Sequence, residues 1–197
     1  MSDPETIRIY DQRAADYAEM TDQYNIADPR LAAFIAACPK GGRVLDLGCG
    51  PGAAAARMAE AGLVVEAVDA SAAMVAMAAR HPGVTARQAT FDDIAGDATY
   101  DGIWANFSLL HAPRPDFPRH LAALHRALKP VGVFLIGLKL GKGAARDSIG
   151  RHYTYFSEDE LMDHLRTAGF APGDVKHGAS EGLDGTTAPW ISVLAHG

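Results

Sequence analysis

Val44-Leu45-Asp46-Leu47-Gly48-Cys49-Gly50-Pro51-Gly52 is an apolar run that ends in a cluster of glycines, and its reading decides the fold. Arg43 to Leu47 is short and lies between Gly42 and Gly48, so it reads as a buried strand. The glycines allow a tight turn and let a ligand come close to the backbone. Ala53 to Ala61 has strong helix propensity and stops at Gly62. Strand, turn and helix in that order aim the unpaired N–H groups of the helix's first turn at whatever lies above the turn. Any adenosine-containing cofactor suits such a corner.

Outward from this corner the pattern alternates. Strand-like runs fall at Leu63 to Val68, Val84 to Gln88, Gly102 to Ala105 and Val131 to Leu138, with helical stretches at Ser71 to Arg80 and Phe117 to Leu128. Ser157-Glu158-Asp159-Glu160 has capping-box spacing and opens a helix that ends at Gly169. Two last strands, near Val175 and from Trp190 to Ala195, have no helix between them and should pair antiparallel. Asp3-Pro4 and Asp28-Pro29 look like helix starts, and the first helix would carry Ile7, Tyr10, Ala14 and Tyr17 along one side. The expected fold is a doubly wound α/β domain, a mainly parallel seven-stranded sheet with an antiparallel C-terminal hairpin. One domain is expected over residues 1–197, with 1–40 as an N-terminal helical segment. Lys139 to Phe156 is long for a plain connection, and such loops are often functional.

Composition narrows the classes of function. With 48% hydrophobic and 21% charged residues the chain has a globular balance, not a disordered one. A net charge of −6 gives no general attraction for nucleic acid or anionic membrane. Cys38 and Cys49 form no CxxC pair, and the eight histidines lack HExxH spacing, so no metal site is expected. Met1 to Tyr10 lacks the apolar core of a secretory signal, and Val131 to Leu138 is too short to span a bilayer. Cytoplasm follows by elimination.

Two cofactor classes compete for the glycine turn. Gly48-x-Gly50-x-x-Ala53 fits the looser dinucleotide fingerprint, and Asp69 stands where a ribose-binding acid should. A nicotinamide- or flavin-dependent oxidoreductase is therefore a real rival. Asp46, two residues before the first glycine, decides by its sign. A carboxylate there repels a pyrophosphate but attracts the α-ammonium of S-adenosylmethionine.

VLDLGCGPG resembles the first motif of the class I S-adenosylmethionine-dependent methyltransferases, and the resemblance runs from about Tyr10 to the C-terminus. It implies methyl transfer to a small-molecule acceptor, with release of S-adenosylhomocysteine. By that resemblance Asp46, Gly48, Cys49, Gly50 and Gly52 cradle the methionine part of the cofactor. Asp69, in Val68-Asp69-Ala70-Ser71, binds the ribose hydroxyls, and Met74 packs on the adenine. Arg87 to Ile94 is similar to the adenine-binding segment, but Thr90 stands where many members carry an acid. Thr90 and Asp92 are both open as substitutes, with Phe91 for stacking. Tyr100 to His111 resembles the fourth strand and following turn, whose end, including Asn106, Phe107 and His111, lines the methyl-transfer site. Lys129-Pro130-Val131-Gly132 resembles the family's L-K-P-G-G turn, with Val131 in place of a glycine. Gly150 to Tyr153 and Trp190 to Leu194 look more specifically like small bacterial members of the tellurite-resistance type. The helical segment 1–40 would then be a lid, with Tyr17 on the cofactor.

Plainer readings stand beside these. Tyr10 and Tyr17 would pack their helix on the sheet. His111, near where the methyl should point, could act as a base that takes a proton from the incoming nucleophile. It is expected merely to line the pocket, because many methyl transfers need no base, and no other catalytic residue is named. Lys139, Arg146 and Arg151 are expected on a solvated loop face; the sharper alternative has them, Arg151 above all, meeting an anionic acceptor. Trp190 is expected to be strand packing. A non-catalytic S-adenosylmethionine-binding protein is the second rival.

Overall fold

The computed structural model describes residues 3–25 and 28–197. Three helices lead the chain: α1 (Pro4–Gln12), α2 (Ala14–Asn25) and α3 (Pro29–Ala37). Asp3 and Asp28 cap α1 and α3 with their side chains, and each helix has proline in its first turn. One continuous helix through Tyr17 does not form. The chain leaves helical geometry at Arg13 (φ −115°, ψ 24°), and α1 buries Thr6 and Ile9 where the expected apolar side ran through Ile7. The break lets the rings of Tyr10 and Tyr17 meet edge to face, 5.3 Å apart.

Strands and helices then alternate. β1 (Arg43–Leu47), α4 (Ala53–Glu60), β2 (Val64–Asp69), α5 (Ala72–Ala78) and β3 (Val84–Gln88) make the first half. β4 (Tyr100–Asn106), α6 (Phe117–Ala127), β5 (Leu128–Lys139), α7 (Glu158–Ala168), β8 (Ala171–Glu181) and β9 (Thr187–His196) make the second, with β6 (Ala144–Arg146) and β7 (His152–Thr154) inserted before α7. The seven-stranded sheet has the order β3-β2-β1-β4-β5-β9-β8, with β9 antiparallel to both neighbours. The segment 139–156 is not an open loop, because β6 and β7 pair as a small antiparallel hairpin.

Both faces of the sheet are covered, which explains the near-continuous apolar strands. Val44, Trp104, Val133 and Leu135 pack with Phe34 of α3 and Met58 of α4. Leu45, Ile103, Phe134 and Ile136 pack on the other face with Leu121 of α6 and Leu165 of α7. The strand order reverses between β1 and β4, so the ends of these two strands diverge into a crevice. No helix among the described residues is long and apolar enough to cross a membrane.

Val131, where the family resemblance expects a glycine in a turn before the strand, lies inside β5 at an irregularity in its pairing with β4, with φ +59° and 85% exposure. Left-handed backbone costs a side-chain-bearing residue about 1–2 kcal/mol, against roughly 1 kcal/mol of extra chain entropy that glycine loses on folding. Val131→Gly should therefore leave stability unchanged or raise it by up to about 1 kcal/mol in urea denaturation. A clear loss would show that this position does not need the left-handed conformation.

Candidate functional site

The site grows from the corner between β1 and α4. Gly48 and Cys49 donate their N–H groups to the Val68 carbonyl at 2.8 and 2.9 Å, tying the turn to β2. Close approach makes two of its glycines obligatory. A Cβ on Gly48 (φ +72°) would lie 2.3 Å from that of Ser108, and one on Gly52 (φ +91°) would lie 2.7 Å from Ala78 Cα. Asp69 completes the corner, accepting from Gly50 N at Oδ2 and from Ser71 N at Oδ1, both at 2.9 Å.

Asp46 is 2% exposed, and its Oδ2 has no hydrogen-bond partner. Burial, and then the nearby charge of Asp69, push its pKa up to about 8, while an N–H from Ala55 pulls the other way. Asp69 is also raised, chiefly by burial. Two carboxyl groups share one dehydrated corner, and one of them has a buried oxygen without a partner, an arrangement suited to a cationic group.

Two cavities open from this corner. The larger, of about 620 Å³, reaches from Asp46, Gly48, Cys49 and Gly50 toward Trp104, Leu110, Lys139, Arg151, Tyr153 and Trp190. The smaller, of about 80 Å³, is lined by Asp69, Ala70, Ser71, Met74, Thr90 and Phe91 beneath Asp3, Thr6 and Ile7 of α1. Tyr10, Tyr17, Gly48, Gly50, Asn106, Phe107 and His111 line both, so they form the wall between them. Gly52 and Asp92 line neither. Gly52 is the N-cap of α4, and Asp92 binds Arg119 at 2.6 Å. Thr90 spends its hydroxyl on Asp93, donating at 2.8 Å.

The far wall departs most from what the sequence suggests. Arg151 is not on a solvated face. It is 2% exposed, holds Asp147 Oδ2 at 2.7 Å and donates to Tyr10 Oη at 2.9 Å. Lys139 is half-buried, with its ammonium 4.4 Å from the centre of the Tyr153 ring and no ion pair among the described residues. Burial lowers its pKa, which the carboxylate of Asp184 partly offsets. Arg146 holds Asp3 of α1 at 2.7 Å. Trp190 does pair within the sheet, but it also lines the larger cavity, where the Arg30 guanidinium stacks 4.7 Å from its ring. Arg30 also donates to Asn106 Oδ1 at 3.3 Å. Sequence reading missed Arg30, Tyr153 and the part played by Tyr10. No local pattern announces them, because their partners lie far along the chain: Arg30 meets Asn106 across 76 positions and Tyr10 meets His111 across 101.

Residues 44–132 match a family model described as a methyltransferase domain. The chain is 33% identical over 139 residues to the cypemycin N-terminal methyltransferase of a Streptomyces species, covering 67% of this chain and 56% of that protein. It is 35% identical over 135 residues to the ubiquinone/menaquinone biosynthesis C-methyltransferase UbiE of Rubrivivax gelatinosus, covering 65% and 53%. Each match thus spans little more than half of the relative's own length. Among solved structures, the Burkholderia thailandensis 1,6-didemethyltoxoflavin-N1-methyltransferase, with 1,6-didemethyltoxoflavin and S-adenosylhomocysteine bound, superposes with a TM-score of 0.80 at 26% identity, over 98% of this chain and 87% of that one. Residues 44–132 thus carry the sequence of a methyltransferase domain, and the chain as a whole is similar in fold to the S-adenosylhomocysteine-bound Burkholderia enzyme.

The raised pKa of Asp46 has a stability signature with a definite sign. A carboxylate whose folded pKa lies above its unfolded value binds more protons when folded, so stability falls as pH rises between about 4 and about 8. Asp46→Asn removes that charge with little change of shape. In calorimetry without ligand, the variant should melt above the parent at pH 8, and the gap should close near pH 4. A gap independent of pH would mean that Asp46 is not the titrating group.

Proposed function

We propose that this protein transfers the methyl group of S-adenosylmethionine to a small, flat acceptor in the 620 Å³ cavity and releases S-adenosylhomocysteine. The observation that carries the proposal is the unpartnered Asp46 Oδ2, buried beneath the glycine turn. It suits an ammonium group and opposes a pyrophosphate, which disfavours a dinucleotide enzyme. Ser108 Oγ, also buried without a partner, is a second polar atom on the cavity wall free for the cofactor.

The other assignments follow the walls. The backbone of Gly48, Cys49 and Gly50 borders the amino-acid end. Asp69, with Ala70 and Ser71, faces the ribose; its two oxygens keep lone pairs beyond those that accept Gly50 N and Ser71 N. Met74, Thr90 and Phe91 border the adenine. Asn106, Phe107 and Tyr17 stand where cofactor and acceptor meet, and α1 and α2 act as a lid; residues 1–2 and 26–27 of the expected lid segment 1–40 lie outside the described residues. Gly52 serves by shaping the turn, and Asp92 by holding Arg119.

Bound there, S-adenosylmethionine supplies an electrophilic methyl on a sulfonium. The chain's own contribution is alignment and exclusion of water, which suffice for much of the acceleration of an in-line displacement. Phe107, Tyr153 and Trp190 give the acceptor cavity aromatic walls, which favour a planar ring over a small oxyanion of the tellurite type. The Burkholderia neighbour binds 1,6-didemethyltoxoflavin. His111 and Arg151 border the acceptor. Arg151 holds Asp147 and Tyr10 but keeps its Nη2 without a hydrogen-bond partner, so it stands beside Lys139 as a cation placed for a negative group on the acceptor.

Calorimetry tests the cofactor assignment. S-adenosylhomocysteine should bind the parent, and Asp46→Asn should weaken it about 10- to 100-fold, the worth of one charge-assisted hydrogen bond. Pairing Asp46 with an ammonium lowers its pKa, so binding near pH 7 should release up to about one proton, seen by changing the buffer's ionisation enthalpy. The variant should release none. Binding of NAD(H) in place of S-adenosylhomocysteine would overturn the proposal.

A further inference from the structure

A chain of hydrogen bonds that the cofactor does not need runs along the wall between the cavities. His111 Nδ1 lies 2.6 Å from the carbonyl oxygen of His152, which can only accept, so Nδ1 carries the hydrogen. Burial, and then the positive charge of Arg151, depress the His111 pKa to about 3, although the His152 carbonyl favours the charged form; the ring is neutral at pH 7 and Nε2 is bare. Tyr10 Oη lies 2.9 Å from Nε2 and must donate to it. Arg151 Nη1 has only hydrogens to give and donates to Tyr10 Oη at 2.9 Å. Every bond therefore points one way, from Arg151 through Tyr10 and His111 to the His152 carbonyl. Tyr10 and His111 both line both cavities.

The hairpin and α1 hold this arrangement between them. Asp147 Oδ2 accepts from Arg151 Nε at 2.8 Å, and Asp147 Oδ1 accepts from Arg151 N at 2.9 Å. Thr6 of α1 accepts from His152 N at 2.8 Å, which locks α1 to the hairpin that positions the His111 ring. The Tyr153 ring packs 4.7 Å from that of His111. The charged and titratable groups around the pair are Tyr17 from α2, Asp69 from the end of β2, Lys139 from β5, Asp147, Arg151 and Tyr153 from the hairpin, and Asp184 between β8 and β9.

We propose that Tyr10 and His111 together take the proton that the acceptor loses on methylation, Tyr10 as the group that touches the acceptor and His111 as the proton's resting place. The inference rests on the methyl-transfer reading above. As the acceptor nitrogen or oxygen bonds to the methyl carbon, the carbon–sulfur bond breaks and its electron pair stays on sulfur. The acceptor's N–H or O–H proton passes to Tyr10 Oη, while the Tyr10 proton passes to His111 Nε2. Total charge is unchanged, because the positive charge lost at sulfur reappears on the imidazolium. That coupling answers the objection that a buried histidine beside Arg151 is a poor base. His111 gains its charge only as the neighbouring one disappears. The new imidazolium is held by its bond to the His152 carbonyl, and Arg151 steadies the Tyr10 oxygen while it is between protons. Because Tyr10 rides on α1, the relay is complete only when α1 is docked.

Two measurements test this. In protein with ¹⁵N-labelled histidine and saturating S-adenosylhomocysteine, NMR should find His111 as the Nδ1–H tautomer. Tyr10→Phe should shift its Nε2 signal to that of a lone pair without a hydrogen bond. An Nε2–H tautomer overturns the relay. With radiolabelled donor and a panel of hydroxyquinolines and fused-ring lactams, Tyr10→Phe and His111→Gln should each lower kcat about 10²- to 10⁴-fold, with KM and S-adenosylhomocysteine affinity little altered. The deficit should narrow as pH approaches the acceptor's own ionisation, since an ionised acceptor needs no base. Unchanged rates in the well-folded Tyr10→Phe protein, or a loss confined to KM, overturn the proposal. If no compound is methylated although S-adenosylhomocysteine binds, the flat-acceptor reading fails by itself, and the tautomer decides the relay.

Discussion

A carboxylate held in a dry place without a counter-charge is the constraint around which this molecule is arranged. Asp46 lies one residue before the end of β1, at the point where the strand order reverses, under a turn whose glycines allow no side chain in the way. Leaving a buried oxygen without a partner is costly, and a fold retains such a cost where a ligand removes it. Asp69 sharpens the effect. Its two oxygens brace the turn through Gly50 and Ser71, and its charge adds to the burial that keeps Asp46 reluctant to ionise. The corner is thus rigid and short of positive charge before anything binds.

Over this corner lies α1, stitched down at both ends of its length. Asp3 is gripped by Arg146, and Thr6 accepts from His152 N. At the other end Asp11 accepts from Ser71 Oγ at 2.6 Å and from Ala73 N at 3.1 Å. One short helix therefore joins the hairpin after β5 to the start of α5, roofing the smaller cavity and contributing Tyr10 to both. The hairpin and α1 need each other. Neither has much apolar surface of its own, and each supplies polar partners that would otherwise lie buried and unpaired. This mutual dependence links an ordered N-terminal segment to the polar wall at His111 and Arg151.

The aromatic wall across the larger cavity works by a different rule. Phe107 has φ +57°, a conformation that disfavours side-chain-bearing residues, and its N–H donates to the Gly137 carbonyl at 2.9 Å. Gly137 has no Cβ, which leaves room for Asn106 Oδ1 at 2.3 Å from where one would stand. The strain turns the Phe107 ring edge-on toward Trp190, 6.1 Å away, and Arg30 closes the gap from α3. Backbone strain concentrated beside a cavity marks a place where geometry is fixed for binding, not merely for packing.

How much could be read in advance follows the range of the interactions involved. The sequence by itself determined the corner and the sheet, because a short apolar run, glycines and a following helix interact over a few residues, and because alternating strands and helices leave little freedom of topology. It also put a carboxyl group beside the turn, since Asp46 sits next to it in the chain. Tertiary structure alone decided the rest. His111 meets Tyr10 across 101 positions, Arg151 meets Tyr10 across 141, and Thr6 meets His152 across 146, separations at which no local pattern records a partner. It broke the first helix at Arg13, buried Arg151 that composition would leave in water, and turned Trp190 from packing into a wall. In each case the reason is the same: burial and pairing depend on what the folded chain brings nearby, and that is a property of the whole packing, not of any segment.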